Sequence, residues 1–509
     1  MRAIAIAAVL FLLAVSAGCG SSGDAVEVSG PGTFRSGGNI FVNSISCAAP
    51  GDCPAGGYYR RGFGEYQAFV VDETNGTWGN AIEVPHAATP LGDSFPAPGV
   101  NSISCAAAGD CAAGGSYYDR RGDKQAFVVN ETDGRWGNAI KVHGTALHTD
   151  RWVELNSLSC AAAGECAAGG VYADGDGYRA FVVSETNGRW GNAIEVPGMA
   201  TLNTGGDAEV DSISCAAAGE CAAGGFYDHG HSVDGSFQAF VVSETNGSWG
   251  NAVKVPGTAT LNTGRNAEVD SISCAAAGEC AAGGVYNAVG DTGQAFVVSE
   301  TNGTWGNAIE VPGSAKTLHD NFSGSWISIS CAAAGECAAG GSYDHGLSSD
   351  YSEANQAFVA GETNGSWGKA INVPGTATLN AGGHAGVLAV SCGAAGECAA
   401  GGYYTDSSGD DEAFVVSETN GSWGNAIEVP GTATRRWPFT EVTSISCAAP
   451  GDCTAGGHLS TGYSRGRAFV VNETNGSWGN AILLPPAACV FPNVNVASGR
   501  SRRCRSGAS

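Results

Sequence analysis

From about residue 31 the chain sets short apolar runs against glycine-rich polar punctuation, with no 3.6-residue periodicity anywhere. Four kinds of run recur in a fixed order. The first is Ser-Ile-Ser-Cys and the second is Cys-Ala-Ala-Gly-Gly-x-Tyr. The third, Ala-Phe-Val-Val, is β-branched and aromatic. The fourth, Trp-Gly-Asn-Ala-Ile-Glu-Val, puts Trp78, Ile82 and Val84 on one face by period-2 alternation. Asn-Gly separates the third from the fourth, with Asp133-Gly134 in the second copy. Both central residues of a type I′ turn need positive φ, so this dipeptide predicts a tight hairpin.

The whole set repeats eight times. The first Cys of each copy falls at 47, 105, 160, 215, 274, 331, 392 and 447, and the copies cover about 31–488. A period of this size means an array, a solenoid or a propeller. Four antiparallel strands per copy, with small residues in the first two where inner strands would crowd an axis, predict an all-β fold: an eight-bladed β-propeller of four-stranded antiparallel blades. An open β-solenoid and two four-bladed rings are the rival arrangements. The Asn-Gly-Ser/Thr-Trp segment resembles the Asp-box type of blade turn. The Gln-Ala-Phe-Val-Val strand resembles that of exported bacterial β-propeller repeat proteins. A true Asp-box has Asp ahead of the Gly, where most copies here have Asn. The resemblance implies the fold and not sialidase activity.

In such a meander alternate loops share a face. Cys-Ala-Ala-Ala-Gly-Glu-Cys and Glu-Thr-Asn-Gly-Ser-Trp-Gly fall on one face and are nearly identical in every copy. The loops between runs two and three fall on the other with the inter-copy connections, and these differ. Examples are Tyr58–Tyr66 with Arg60 and Arg61, Tyr227–Phe237 with His229 and His231, and Tyr403–Glu412. The variable face is the expected binding face, because function concentrates on loops held by a rigid scaffold; unconstrained drift is the plainer alternative. Eight of the 11 Trp are the repeat Trp of the fourth run. Trp152, Trp326 and Trp437 lie in connections, where a flat ring either stacks on a sugar or fills the space between blades. Asp174 and Asp176, and Asp406, Asp410 and Asp411, offer oxygen ligands at short spacing for Ca²⁺, or are solvated loop charge. Asn-Gly-Ser/Thr matches a glycosylation sequon in six copies, but turn chemistry accounts for it. No phosphate loop, nucleophile elbow or zinc-hydrolase motif is present, so no catalytic residue is named and no cofactor is required.

Sixteen of the 19 Cys form eight C-x5-C pairs: Cys47 with Cys53, Cys105 with Cys111, Cys160 with Cys166, Cys215 with Cys221, Cys274 with Cys280, Cys331 with Cys337, Cys392 with Cys398 and Cys447 with Cys453. Each pair stands alone in its copy and the His follow no repeat, which favours disulfides over zinc. Each bridge should contribute about 2 kcal/mol in the chain-entropy model. At the N-terminus Arg2 precedes an apolar run from Ala3 to Val15, then Ser16-Ala17-Gly18-Cys19. This reads as a secretory signal over 1–18. Its end resembles a bacterial lipobox, which implies acylation of Cys19 and a tether over 19–30; an ordinary signal peptide is the alternative. Cys489 and Cys504 remain as a ninth pair in a C-terminal tail over 489–509. The expected location is outside the cell, lipid-anchored to the outer face of the membrane or secreted.

Charge sharpens this. The chain carries 24 Lys+Arg against 49 Asp+Glu, a net of −25, which argues against nucleic acid as a partner. Residues 190–434 hold 27 of the acids and 4 of the bases. Arg60, Arg61, Arg120, Arg121, Arg435 and Arg436 lie in the remainder. A ring would therefore have one acidic arc and one mixed arc able to orient a partner; recent duplication of acidic copies is the alternative. The expected function is a monomeric binding or scaffold module on the cell surface. Its ligand would be a carbohydrate or an envelope or surface protein, held by the three connection Trp and the Arg pairs. A glycoside hydrolase or lyase and a purely structural envelope protein are the other classes.

Overall fold

The computed structural model describes residues 26–27, 39–61, 65–88, 99–144, 151–175, 177–230, 236–264, 266–288, 293–313, 326–347, 353–432, 438–461 and 466–484. Cys19, Asp176, Trp437, Arg435, Arg436, Cys489 and Cys504 lie outside these residues, as does the side chain of Arg61. The fold is all-β, built from eight successive antiparallel four-stranded units. In the fourth unit the first strand is Ala208–Ala217, the second Glu220–Asp228 and the third Phe237–Thr245. The fourth is the pair of fragments Ser248–Trp249 and Val253–Lys254.

All eight expected C-x5-C disulfides form. The two Cys of a pair are cross-strand partners, as in Cys215↔Cys221, so each bridge staples the hairpin of strands one and two. The bridges also reach the core. The second Cys of every pair is a core residue: Cys53, Cys111, Cys166, Cys221, Cys280, Cys337, Cys398 and Cys453 are all buried. All but Cys111 belong to the apolar clusters described below. The reason is alternation: this Cys opens strand two on the face turned toward a neighbouring unit, whereas its partner is only partly buried. These sulfurs therefore hold and fill the junctions, and they are not part of the candidate ligand surface.

Loops sort by face as the repeat predicts. The Gly of each Ala-Gly-Glu-Cys turn accepts the N–H of the Gly in the Asn-Gly turn, as in Gly188 N–H to Gly164 O at 3.0 Å. Gly164 has φ +71°, and a Cβ there would lie 2.6 Å from Gly188 N, so two backbones meet where no side chain fits. The Asn residues of the turns have φ near +50°, as type I′ geometry demands. On the other face the connections lie beside the hairpins of strands two and three: Lys124 N–H donates to Arg151 O (2.8 Å) and Gly382 N–H to Thr405 O (2.8 Å).

Units are joined by packing and by hydroxyls. Each of eight buried apolar clusters draws on two consecutive units, and one joins Val42 and Ile45 of the first unit to Ala468, Val470 and Leu484 of the eighth. The Gly-Gly of strand two makes room for this. A Cβ on Gly169 would lie 2.5 Å from the Val210 side chain of the next unit. The first strand has an unpaired edge, and the serines of Ser-Ile-Ser occupy it. Ile213 and Cys215 N–H donate to Ser157 and Ser159 Oγ of the preceding unit, both at 3.0 Å. Both bonds recur at every junction but that of the seventh unit with the eighth, which keeps only Cys447 N–H to Ser391 Oγ; between the eighth unit and the first they are Ile45 N–H to Ser444 Oγ (3.0 Å) and Cys47 N–H to Ser446 Oγ (2.9 Å). Ala389 replaces one of these serines in the seventh unit.

Three further features depart from the sequence reading. The fourth strand breaks after the Trp. Ala and Val are then buried (Ala193, Val196) while the Ile is exposed in five units, 39% for Ile194 and 47% for Ile140, as is Val253 in its place in the fourth. The cause is the Gly after the Trp, whose N–H turns back to strand three, as in Gly191 to Ser184 O at 2.9 Å, and resets the alternation. Single helical turns, Met199–Leu202, Thr258–Leu261 and Thr376–Leu379, occupy three connections; four residues are too few to show a helical period. Finally, Val26–Glu27, in the segment expected to be tether, pairs in parallel with Ile482–Leu483 of the eighth unit.

The serine bonds make a stability prediction. Ser157→Ala leaves the Ile213 N–H without its acceptor and should lower unfolding stability by roughly 1–3 kcal/mol. Ala389→Ser supplies the missing acceptor for Ile445 and should raise it by roughly 1 kcal/mol. Urea unfolding of both variants checks the pair; equal midpoints would remove the serines from the account of unit joining.

Candidate functional site

Two register positions vary more between units than their neighbours do. One precedes the buried Val of strand one; the other follows Gly-Gly in strand two. They are cross-strand partners: Phe41↔Tyr58, Gly99↔Ser116, Glu154↔Val171, Glu209↔Phe226, Glu268↔Val285, Gly386↔Tyr403 and Glu441↔His458. In the sixth unit Trp326 and Ser342 flank the Ile327↔Gly341 pair. All lie toward the variable-loop end of the inner strands. The flanking sequence folds identically each time, so these pairs present different chemistry at one height of a constant scaffold.

Units three to five make an acidic half. Lys124 is almost wholly buried, forms an ion pair with Glu154 at 2.5 Å and lies 5.4 Å above the Trp152 ring. Asn156 donates to Glu209 Oε1 (2.6 Å) and to Val210 O (3.0 Å). Asn156 occupies a β-bulge in strand one, where the register skips between Leu155 and Ser157. Asn43 and Asn101 at the same bulge also donate to the next unit's carbonyl, as does Thr443. Asp211 and Asp270 replace them in units four and five. Burial, then the charges of Glu209, Glu268 and Asp270, hold the Asp211 carboxyl well above the usual range. Burial and Glu268 do the same to Asp270. Burial pushes Glu209 up to about 7, against the pull of its bond from Asn156.

Units seven, eight and one make an aromatic half. Phe41 stacks on Tyr58 (centroids 4.9 Å) and meets His458 edge-on (4.6 Å). Tyr58 meets Tyr66 at 5.8 Å, and the Arg60 guanidinium lies 5.8 Å over the Tyr66 ring. His458 Nε2 is 3.7 Å from Glu441 Oε1. Burial lowers the imidazole to about 4, so at neutral pH this contact is not an ion pair. Burial and then Asp411 raise Glu441 to about 7. Aromatic faces beside carboxyl groups that can donate or accept near neutrality suit a ligand with apolar C–H faces and hydroxyls.

The residues expected from sequence fall differently. Trp152 packs edge-on against Tyr178 (5.0 Å) and under Lys124, filling space between units. Trp326 is 63% exposed. Arg60 joins the aromatic half, whereas Arg120 and Arg121 are exposed in a turn ordered by Asp119, which accepts the Arg121 N–H at 2.8 Å. Asp174 faces Arg179 at 3.6 Å. Asp406 accepts the N–H of Ser408 and Asp410, and Asp411 accepts the Thr405 hydroxyl. These carboxylates thus serve their own turns. No group of three or more His, Cys, Asp or Glu that could hold a metal occurs among the described residues. Phe41, Glu441 and His458 escaped the sequence reading, which names Tyr58 and Tyr403 only as the ends of variable loops. Aligning the eight copies column by column would have found them, as the variable columns inside otherwise constant strands.

The constant face carries a second set of inter-unit contacts and a groove of about 210 Å³ between units four and five, lined by Glu220, Glu244 and Glu300. Its buried glutamates are committed: Ser184 donates to Glu244 and Ser243 to Glu300, both at 2.8 Å. The same hydroxyls accept from Trp249 and Trp305 of the next unit. Asn130 and Asn472 substitute for the serine toward Glu185 and Glu73. Between units one and two the residue is Asp72. It accepts the Trp136 indole N–H at 2.9 Å but, when ionised, has no proton for Glu131. Burial and then the Asp72 charge push Glu131 up to about 7.

Neither a protein-family model nor a curated protein matches the chain. Among solved structures, a polysaccharide lyase described as an ulvan lyase aligns with TM-score 0.41 and 10% identity, over 74% of this chain and 92% of its own. The fucose-specific lectin of Aleuria aurantia aligns with TM-score 0.31 and 10% identity, over 77% and 97%. A protein of unknown function from Dyadobacter fermentans aligns with TM-score 0.39 and 10% identity, over 74% and 94%. Likenesses of this size carry no functional assignment.

The Asp72–Glu131 contact makes a pH prediction. A carboxyl whose pKa is raised on folding stabilises the fold at low pH and loses that contribution as pH rises through the folded value. Stability should therefore fall from pH 5.5 to pH 8. Asp72→Asn copies the donor of units two and eight and should flatten that slope while raising stability at pH 8. Thermal unfolding across this range checks it; an unchanged slope would remove the pair as a contributor.

Proposed function

We propose that this chain is an exported carbohydrate-binding protein. It closes as an eight-bladed β-propeller and holds its ligand on the variable-loop face. The observation that carries the reading is the set of varied cross-strand pairs, which put stacking rings and carboxyl groups at one level of an otherwise repeated scaffold. Sugar recognition uses this combination: rings lie against C–H faces and carboxylates take hydroxyls. Closure is supported by the serine hydrogen bonds and apolar packing between the eighth unit and the first. Export is supported by eight disulfides, which persist in oxidising compartments. The lipobox-like Ser16-Ala17-Gly18-Cys19 supports attachment to the outer face of the membrane through acylated Cys19.

A glycan-cleaving enzyme is the second reading. It is favoured by Glu209, a carboxyl raised to about 7 beside other acids, which suits a general acid.

A glycan array probed with the soluble 24–509 fragment should return polysaccharide hits. Phe41→Ala should weaken them at least tenfold without changing the thermal transition by more than a few degrees. Chromatography of the bound glycan after prolonged incubation separates the readings: intact glycan supports binding, and shortened fragments lost in Glu209→Gln support cleavage. An array with no hit would overturn both.

A further inference from the structure

The aromatic members of the varied pairs are not scattered. Apart from Phe226 of the fourth unit, which meets Phe237 of its own unit edge-on, they come from four units in succession: Trp326 of the sixth, Tyr403 of the seventh, His458 of the eighth, and Phe41 with Tyr58 of the first. Units six and seven are bonded through Ser328 and Ser330, and seven and eight through Ser391. Units eight and one meet directly at the Phe41–His458 ring contact. The Cα atoms of consecutive first strands approach within 8 Å, so the varied positions of neighbouring units follow one another along the ring of strands.

Small residues lie beside these rings. Gly386 is the partner of Tyr403, and a Cβ on it would stand 3.0 Å from that ring and 3.5 Å from Ser342 of unit six. Gly99 of unit two is the same on the far side, where a Cβ would lie 2.7 Å from Tyr58 Cβ. A side chain at either position would crowd the tyrosine beside it. Trp326 is the most exposed large apolar side chain among the described residues, at 63%. An exposed indole at one end and stacked rings at the other, with Glu441 between, form a strip and not a closed pocket. A pocket for one sugar would bury its platform; a strip open at its end fits a longer ligand.

We propose that this strip binds successive rings of one extended oligosaccharide chain, with Trp326 as an outlying platform. The inference rests on the carbohydrate reading above and specifies the ligand as a polymer segment rather than a terminal sugar. Affinity then grows with chain length, because a ring already held at one platform presents the next ring to its neighbour at high effective concentration.

The test is isothermal titration of the soluble 24–509 fragment with cello-, chito- and laminari-oligosaccharides of one to six rings. In one series the tetrasaccharide should bind at least tenfold tighter than the disaccharide. Trp326→Ala should abolish most of that gain while leaving disaccharide affinity within twofold, and Phe41→Ala should weaken every length. Ile194→Ser, on an outer strand away from the strip, should change none of them. Equal affinity for the short and long members, or a Trp326→Ala loss of the same size at every length, overturns the strip while leaving a single-sugar site standing. No binding by any series, together with an empty glycan array, overturns the carbohydrate reading itself.

Discussion

The structure depends on what is done with the unpaired edge of each first strand. A strand edge exposes N–H and C=O groups that must find partners or stay wet. Here the serine hydroxyls of one unit accept the N–H groups of the next, as Ser157 and Ser159 do for Ile213 and Cys215. Because the eighth unit does this for the first through Ser444 and Ser446, the same edge is covered at both ends of the chain. The hydroxyl is short enough to keep the strands close and directional enough to set their relative height. A larger residue would hold neighbouring units apart, and alanine leaves the N–H without this acceptor, as Ala389 does for Ile445.

That constraint explains where variation is allowed. The Ser-Ile-Ser-Cys and Gly-Gly positions each meet a neighbouring unit, through a hydrogen bond, a disulfide sulfur buried at the junction or a close approach such as Gly169 against Val210. The residue before the Val and the residue after Gly-Gly meet each other and, across a junction, only side chains, as Phe41 meets His458 and Glu209 meets Asn156. They are therefore free to become Phe and Tyr in one unit, Glu and His in another, Gly and Tyr in a third. A scaffold with rigid height and free chemistry at one level can be specialised by single substitutions.

The glutamates illustrate the other side of repetition. Ser184, Ser243, Ser299 and Ser417 each bridge the glutamate and the tryptophan of the following unit. Where the sequence has Asp72 the bridge requires a proton, and where it has Gly361 the bridge is lost. The acidity of the chain is thus partly internal: carboxyl groups are buried at junctions, with their affinity for protons raised, and do not all contribute to a surface field.

Much of the fold was legible in the sequence because repetition exposes local rules. The eight C-x5-C pairs, the hairpins at Asn-Gly and the division of loops between two faces follow from turn chemistry and from strand alternation within about twenty residues. The fourth strand was misread because a Gly turning back to strand three resets the alternation, an effect of backbone hydrogen bonding that a pattern of side chains does not record. Trp152 was a candidate by its isolation from the repeat, and only its contacts with Lys124 and Tyr178 made it filling between units. By itself, then, the sequence determined the unit, its disulfide and its turns, since these depend on neighbours along the chain. The tertiary structure decided which residues form a surface together: Phe41 meets His458 from the opposite end of the chain because packing of the last unit on the first brings them there, and no local rule specifies that contact.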